Sequence, residues 1–318
     1  MIKVGVIGAG KWGINHIRVF SELDCELVGL ADVDKNKKEI ADKYKIRFFR
    51  DYKKLLPLVD ALSVVVPTNL HYNIVKDCLN ANKHVLVEKP ITNDSKSARE
   101  LVNLAKEKNL ILAVGYLFRF NNAVNKLKRE IKNIGKIHYI TARYIHLNKP
   151  PRKDSGVIFN FGIHLVDILN YILDKKPVSV SCKKINYLSK KREDCAIMIL
   201  DYNSFIANLE MTWFHPLKKR DLWIIGSEKK IYADLLNQEI IEYPVKSSYK
   251  KNLRPPINIK IKKNEPLKSE LKEFCKSIDS IVRNKNVKFK GEEELLTTKI
   301  CELSLLSAKL GKEVIINE

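Results

Sequence analysis

Long apolar runs are missing from this 318-residue chain. No stretch of about 18 or more apolar residues occurs, so no membrane-spanning helix is expected and no membrane partner. The amino-terminus, Met1-Ile2-Lys3-Val4-Gly5-Val6-Ile7, lacks a basic region followed by a long apolar segment and a small-residue cleavage site. It therefore reads as a first core strand rather than a secretory leader, and the expected location is cytoplasmic. Cysteine is sparse: six residues, at 25, 78, 182, 195, 275 and 301, with no C-x-x-C pair and no Cys/His cluster of zinc spacing. No metal site follows from this pattern, and the cysteines read as ordinary reduced thiols. Acidic residues are also short, 37 against 58 Lys and Arg, giving a net charge of +21. A basic excess can mark a nucleic-acid binder, but here the lysines are spread along the chain. The densest runs, Lys35-Asn36-Lys37-Lys38, Lys190-Lys191-Arg192 and Lys260-Ile261-Lys262-Lys263, are short, and acids stand among or near them. Without interleaved aromatics or a basic recognition helix, no nucleic-acid partner is expected. The charge reads as a solvated lysine-rich surface, or as mild attraction for an anionic substrate.

What is present is a globular composition, 45% hydrophobic and 30% charged, in a chain of two-domain length. Up to about residue 118, short runs rich in Val, Ile and Leu alternate with amphipathic stretches. The strand-like runs are Val4 to Ile7, Glu26 to Ala31, Ala61 to Val66, His84 to Val87 and Ile111 to Val114. Helical stretches start near Gly13 and cover Asp34 to Tyr44, His71 to Ala81 and Ser95 to Lys108. This alternation predicts an α/β domain over 1–118, with a doubly wound parallel sheet and right-handed crossovers. Beyond it, Lys136 to His146, Val178 to Asn186, Cys195 to Tyr202 and Ser204 to Trp213 read as longer, partly alternating strands. Helices are expected at 156–173, 266–283 and 292–310. In the last of these, Leu296, Ile300, Leu303, Ser307 and Leu310 repeat at helical spacing before Gly311 stops it. Residues 119–318 are thus expected as a second, α+β domain with an open, mostly antiparallel sheet, and 246–265 as a long exposed loop.

Ile2 to Ile7 runs into Gly8-Ala9-Gly10-Lys11-Trp12-Gly13 and then a helix, which is G-x-G-x-x-G in its required strand-to-helix context. The first glycine permits the tight turn, the second lets the backbone approach a pyrophosphate, and the third allows close helix–strand packing. The helix amino-terminus attracts the anion. Nineteen residues after Gly13, Asp32 ends the second strand, placed to accept hydrogen bonds from the adenosine ribose hydroxyls. A carboxylate there repels a 2′-phosphate, so NAD is favoured over NADP, and the first domain is expected to be of Rossmann type. Ligands of such sheets lie beyond the carboxyl ends of the strands. Val87-Glu88-Lys89-Pro90 leaves the fourth run there, so Lys89 is expected near the nicotinamide, or is a plain lysine at a strand exit. Asn160, His164, Asp167 and Tyr171 are spaced by four, three and four, so they share one face of an otherwise apolar helix. That polar stripe needs partners, either a polyol and cofactor in a cleft, or internal ones, such as a buried His164 satisfied by Asp167.

Taken together, these motifs resemble the Gfo/Idh/MocA family of sugar and cyclitol dehydrogenases. The resemblance spans essentially the whole chain. It runs through the glycine fingerprint, Pro67-Thr68-Asn69-Leu70-His71, Glu88-Lys89-Pro90, Gly115-Tyr116-Leu117-Phe118-Arg119-Phe120-Asn121 and the segment Gly156 to Asp167. It implies Lys89 as the active-site lysine and His164 as the acid/base histidine. Gly8, Gly10, Lys11, Trp12, Gly13, Asp32, Thr68, His71 and Glu88 are implied around the cofactor. Many members carry an aspartate four residues before the histidine, whereas this chain has Asn160. An amide cannot serve as a carboxylate partner, so Asn160 is expected to orient substrate hydroxyls beside Lys89 and His164. The Asn160 form resembles the branch acting on nucleotide sugars, which implies oxidation of a ring hydroxyl to a ketone, foremost at C3 of UDP-N-acetylglucosamine. A UDP-hexuronate, myo-inositol or a free hexose stays open as substrate, as does a non-catalytic NAD sensor. Arg152 and Lys153, before the helix, are candidates for the diphosphate, or else a basic loop. Members usually pair their carboxyl-terminal sheets, which implies a homodimer or homotetramer.

Overall fold

The computed structural model describes residues 1–147, 155–188, 191–245, 255–282, 289 and 291–317. Contacts divide the chain into two compact units, residues 1–117 with 267–298, and residues 118–266 with 299–318.

The first unit opens with β1 (Lys3–Ile7), α1 (Lys11–Ser21), β2 (Glu26–Ala31), α2 (Lys38–Lys43) and β3 (Arg47–Phe49). It continues with β4 (Ala61–Val64), α3 (His71–Asn80), β5 (His84–Val87), α4 (Ser95–Glu107) and β6 (Leu112–Val114). The six strands form a parallel sheet in the order β3-β2-β1-β4-β5-β6. Strand order reverses between β1 and β4, and this switch point is where ligands of doubly wound sheets bind. The central strands are buried on both faces, which is why they read as continuous apolar runs. The short edge strand β3, Arg-Phe-Phe, has no such signature and escaped the sequence reading.

The second unit contains α5 (Asn122–Glu130), β7 (Ile137–Leu147), a π-helical turn (Ile158–Gly162) running into α6 (Ile163–Leu173), β8 (Ser179–Ile185), β9 (Cys195–Asp201) and β10 (Ile206–Thr212). Then follow β11 (Phe214–Gly226), β12 (Lys229–Asp234), β13 (Glu239–Pro244) and β14 (Ile257–Ile259). Helices α7 (Pro266–Val282) and α8 (Glu292–Leu310) and the strand β15 (Val314–Ile315) complete the chain. The nine-stranded sheet runs β14-β13-β12-β11-β7-β10-β9-β8-β15 and is antiparallel except between β7 and β10. The architecture is the expected one: a Rossmann unit and an open, mostly antiparallel α+β sheet.

Three expectations are corrected. The second domain, expected over 119–318, gives up 267–298 to the first unit. Leu267, Leu271, Phe274, Cys275 and Ile278 on α7 join the core made by Val4, Val6, Ile17, Phe20 and Leu30. Their helical spacing makes an apolar face, but spacing does not say which sheet that face covers. Within the expected loop 246–265, residues 257–259 form the edge strand β14, paired with β13, while 246–254 lie outside the described residues. On α8 the predicted stripe is only partly the buried face, since Ile300 and Ser307 are buried, Leu296 and Leu303 are half-buried and Leu310 is exposed. The buried face comprises Glu294, Thr297, Thr298, Ile300, Cys301, Ser304 and Ser307. Thr297, Thr298 and Ser304 donate their hydroxyls to the carbonyls four residues back. Small polar side chains satisfied in this way can be buried, and apolar periodicity does not register them.

Candidate active site

Each glycine of the fingerprint meets a different steric demand. Gly8, at the carboxyl end of β1, has φ +100°, and a Cβ there would lie 2.4 Å from the Val65 carbonyl oxygen. A Cβ on Gly13 would lie 2.0 Å from the Gly8 carbonyl oxygen, so the third glycine is demanded by α1 packing on the strand exit. Gly10 has nothing within 4 Å of its Cβ position. Its bareness serves open space rather than packing, as a cradle for an approaching group requires. Gly10 is also the N-cap of α1 and supplies no side-chain hydrogen bond, and the first turn holds no acid. The leading N–H groups, around Lys11 and Trp12, are left to an anion. At the end of β2, Asp32 accepts from the Ala9 N–H at 2.7 Å and from the Asp34 N–H at 2.9 Å. Two backbone donors thus fix its carboxylate beside the glycine turn. An open cradle at a bare helix terminus, with a fixed carboxylate alongside, fits a dinucleotide.

The exits of β4 and β5 carry the remaining first-unit candidates. Thr68 and His71 are buried, and the His71 ring nitrogens lie 2.8 Å from the Pro90 carbonyl oxygen and 2.9 Å from that of Val66. His71 thus joins the two loops leaving β4 and β5, a bracing position for a residue expected at the cofactor. Glu88 is buried at 3% exposure. Its carboxylate takes the Lys89 N–H and stands 3.2 Å from Nε2 of His16. His16 is itself fully buried, and its Nδ1 is 2.8 Å from Ser63 Oγ. This Ser63–His16–Glu88 chain runs beneath Lys89 and was not read from the sequence. Its only trace there is a histidine inside an otherwise apolar helix face. Gly115 completes the fit, since a Cβ would press on the Glu88 carboxyl carbon at 3.2 Å. Lys89 is nine-tenths buried and precedes a cis peptide bond to Pro90.

In the second unit the π-helical turn begins at a helix terminus that a distant carboxylate caps. Glu193 accepts from the Ile158 N–H at 3.1 Å. Gly156 admits that carboxylate, which would lie 2.1 Å from a Cβ. Burial pushes the Glu193 carboxyl above the usual range. Asn160 turns back onto its own terminus, donating to the carbonyls of Ser155 and Gly156 and to Ser155 Oγ at 2.9–3.0 Å. His164 is 5% exposed and packed by rings. Tyr144 lies in a stacked arrangement at 5.7 Å, and Phe118 meets it edge-on at 5.3 Å.

The polar stripe read from the helix is only partly a ligand surface. Asp167 binds Arg119 in a fork, at 3.0 Å and 3.1 Å through Nε and 2.5 Å through Nη2. Tyr171 donates to Asn125 Oδ1 at 2.8 Å. Arg119 and Asn125 stand before and on α5, so these two stripe positions pin α5 to α6 and leave Asn160 and His164 as the chemical candidates. Arg152 and Lys153 lie outside the described residues. Among the described residues no cluster of three or more His, Cys, Asp or Glu is placed to hold a metal, and no helix is long and apolar enough to cross a membrane.

Residues 2–116 match the oxidoreductase family with NAD-binding Rossmann fold, and residues 124–232 match the GFO/IDH/MocA carboxyl-terminal domain. The chain belongs to the Gfo/Idh/MocA oxidoreductase family. Among curated members of this family, it is 28% identical to UDP-N-acetylglucosamine 3-dehydrogenase of Acidithiobacillus ferrooxidans over 76% of this chain and 77% of that one. It is 30% identical to myo-inositol 2-dehydrogenase of Thermotoga maritima over the same shares. The solved structure of the Acidithiobacillus ferrooxidans enzyme superposes with a TM-score of 0.87 at 25% identity, covering 97% of this chain and 98% of the other. Gfo/Idh/MocA membership thus fixes an NAD-binding oxidoreductase, while the relatives at similar identity are a nucleotide-sugar dehydrogenase and an inositol dehydrogenase.

Proposed function

We propose that the protein oxidises a ring hydroxyl of a nucleotide sugar to a ketone, with UDP-N-acetylglucosamine, oxidised at C3, as the foremost substrate. The observation that carries this reading is His164, set between Tyr144 and Phe118 on a helix whose Asp167 is bound by Arg119. Similarity to the UDP-N-acetylglucosamine enzyme supports the choice of sugar. Bound at the glycine cradle, the nicotinamide supplies the hydride acceptor. NAD is the preferred form, because a carboxylate at Asp32 disfavours a 2′-phosphate. His164 takes the hydroxyl proton, a role suited to the intrinsic range of imidazole. Lys89 donates to the reacting oxygen and stabilises its developing charge. Asn160 orients a substrate hydroxyl, and Arg152 receives the diphosphate. Thr68, His71 and Glu88 hold the loops around the cofactor, with Glu88 fixed through His16.

The same reading takes the protein as a homodimer or homotetramer formed through the second sheet. Tyr139, Ile197, Ile199 and Ile206 are 39–49% exposed on neighbouring strands β7, β9 and β10, an apolar outer face of the kind that pairs. The test is incubation of the protein with NAD⁺ and a panel of UDP-sugars, free hexoses and inositols, following NADH absorbance. Turnover of UDP-N-acetylglucosamine is the expected result. Turnover of inositol alone would move the substrate to the cyclitol side of the family, and a silent panel with tight NAD binding would favour a sensor. Lys89→Met is expected to abolish turnover and to leave NAD affinity nearly unchanged.

A further inference from the structure

Two arginines of the second unit are held by carboxylates, and a third, Arg220, is not. Arg119 is held by Asp167 and Arg143 by Asp221. Arg220, on β11, is half-buried and has no carboxylate at ion-pair distance among the described residues, and its buried Nε has no hydrogen-bond partner. Register places it directly across from Tyr144 on β7. Its guanidinium carbon stands 4.4 Å from the centre of the Tyr144 ring and 6.0 Å from that of Phe118. These are the two rings that also pack His164. The charge reaches other groups nearby: the His146 imidazole is pushed below its ordinary range by burial first and by Arg220 second.

Arg220 also hydrogen-bonds the Tyr144 side chain, but that neutral contact orients the guanidinium without neutralising it and leaves its buried Nε unsatisfied. A partly desolvated cation without a counter-ion is costly, and the fork geometry of arginine matches a carboxylate or a phosphate. We propose that Arg220 is a further anion-binding residue for the substrate, alongside Arg152, taking a phosphate or carboxylate group of the sugar ligand beside His164. The inference rests on the reading of the second unit as the substrate domain and adds to it a required charge: the substrate is an anion. It also gives the net charge of +21 a local consequence, because the general field gathers anions that Arg220 then orients.

The experiment is calorimetric titration of the full-length, NADH-bound protein, wild type and Arg220→Gln, with four probes. These are UDP, UDP-N-acetylglucosamine, free glucuronate and neutral N-acetylglucosamine. Arg220→Gln is expected to lose affinity for the anions by roughly ten- to a hundredfold, the worth of a charge-assisted hydrogen bond, and to keep its affinity for the neutral sugar. Loss with UDP assigns the diphosphate, and loss with glucuronate alone assigns a ring carboxylate. Arg220→Lys, which keeps the charge without the fork or the stack, recovers part of the loss and decides the matter should the glutamine variant fold poorly. Equal affinities in wild type and variants, or no binding of any anion by the wild type, overturn the assignment. Binding is read without turnover, so a silent NADH assay refutes the proposed reaction and leaves this result standing on its own.

Discussion

Replacing Asp167 by Asn tests the claim that the Arg119–Asp167 fork holds the front of α6. The carboxylate is 1% exposed and the guanidinium 12%, so solvent screens the pair little. Asparagine keeps the shape but removes the charge and turns an amide donor toward Arg119. Breaking one side of a buried pair costs about 3–5 kcal/mol, roughly a hundred- to several-thousandfold in the unfolding equilibrium, because the remaining charge is left uncompensated. Denaturant unfolding followed by tryptophan emission is a suitable assay, since Trp213 is fully buried in the second unit. The double replacement Arg119→Met with Asp167→Leu removes both charges and is expected to recover much of the loss. A single-variant cost below about 1 kcal/mol, the scale of an exposed pair, would refute the reasoning. So would a double variant whose loss equals the sum of the singles.

The remaining expectations are compact. Gly10→Ala fills open space, so the thermal midpoint without NAD should stay unchanged while NAD affinity falls. Gly13→Ala meets the Gly8 carbonyl at 2.0 Å and should cost about 1–3 kcal/mol in the protein without NAD as well; equal effects of the two on stability would refute the division of roles. Asp194 accepts from Trp213 Nε1, Tyr187 N and Leu188 N at 2.6–2.8 Å while fully buried. Asp194→Ala should therefore destabilise by about 3 kcal/mol or more, with red-shifted Trp213 emission on equilibrium unfolding at lower denaturant. Glu130 is held below the ordinary carboxylate range first by Lys126 and then by Lys229. A lowered acid contributes stability that is present above its unfolded pKa and lost as pH falls through the folded value. The stability gap between wild type and Glu130→Gln should thus be full near neutrality and close in the acid range below the ordinary carboxylate value, as read by urea midpoints against pH.

The Rossmann unit was legible because its signals are local. Val4 to Ile7, Ala61 to Val64 and His84 to Val87 are continuous apolar strands, and the glycine turn is contiguous in sequence. What escaped was set by contacts distant in sequence. His16 reaches Glu88 across 72 residues, and Glu193 caps Ile158 from 35 residues away, so neither role has a spacing to read. The helix stripe of Asn160, His164, Asp167 and Tyr171 was read correctly as polar. Helical geometry says nothing of what approaches it, and Arg119 and Asn125 took two of its members. Arg220 was passed over because a lone arginine beside Lys218 and Lys219 looks like surface charge until Tyr144 is seen across the sheet. On α8, the buried face extends to threonines and a serine that the stripe through Ile300 and Ser307 did not include.

The insertion of α7 into the nucleotide-binding core bears on how the chain is made. A ribosome delivers residues 1–117 first and then works through the 149 residues of 118–266 before Leu271 and Phe274 emerge. At about 5–20 residues per second this is an interval of roughly 7–30 s. Throughout it the nascent amino-terminal sheet presents an unfilled apolar socket, a surface for chaperones to hold. Nucleotide binding is then a late-maturing property, completed by a segment in roughly the last sixth of the polypeptide. A message truncated anywhere before codon 267 yields an unfinished dinucleotide fold, and not a free-standing one.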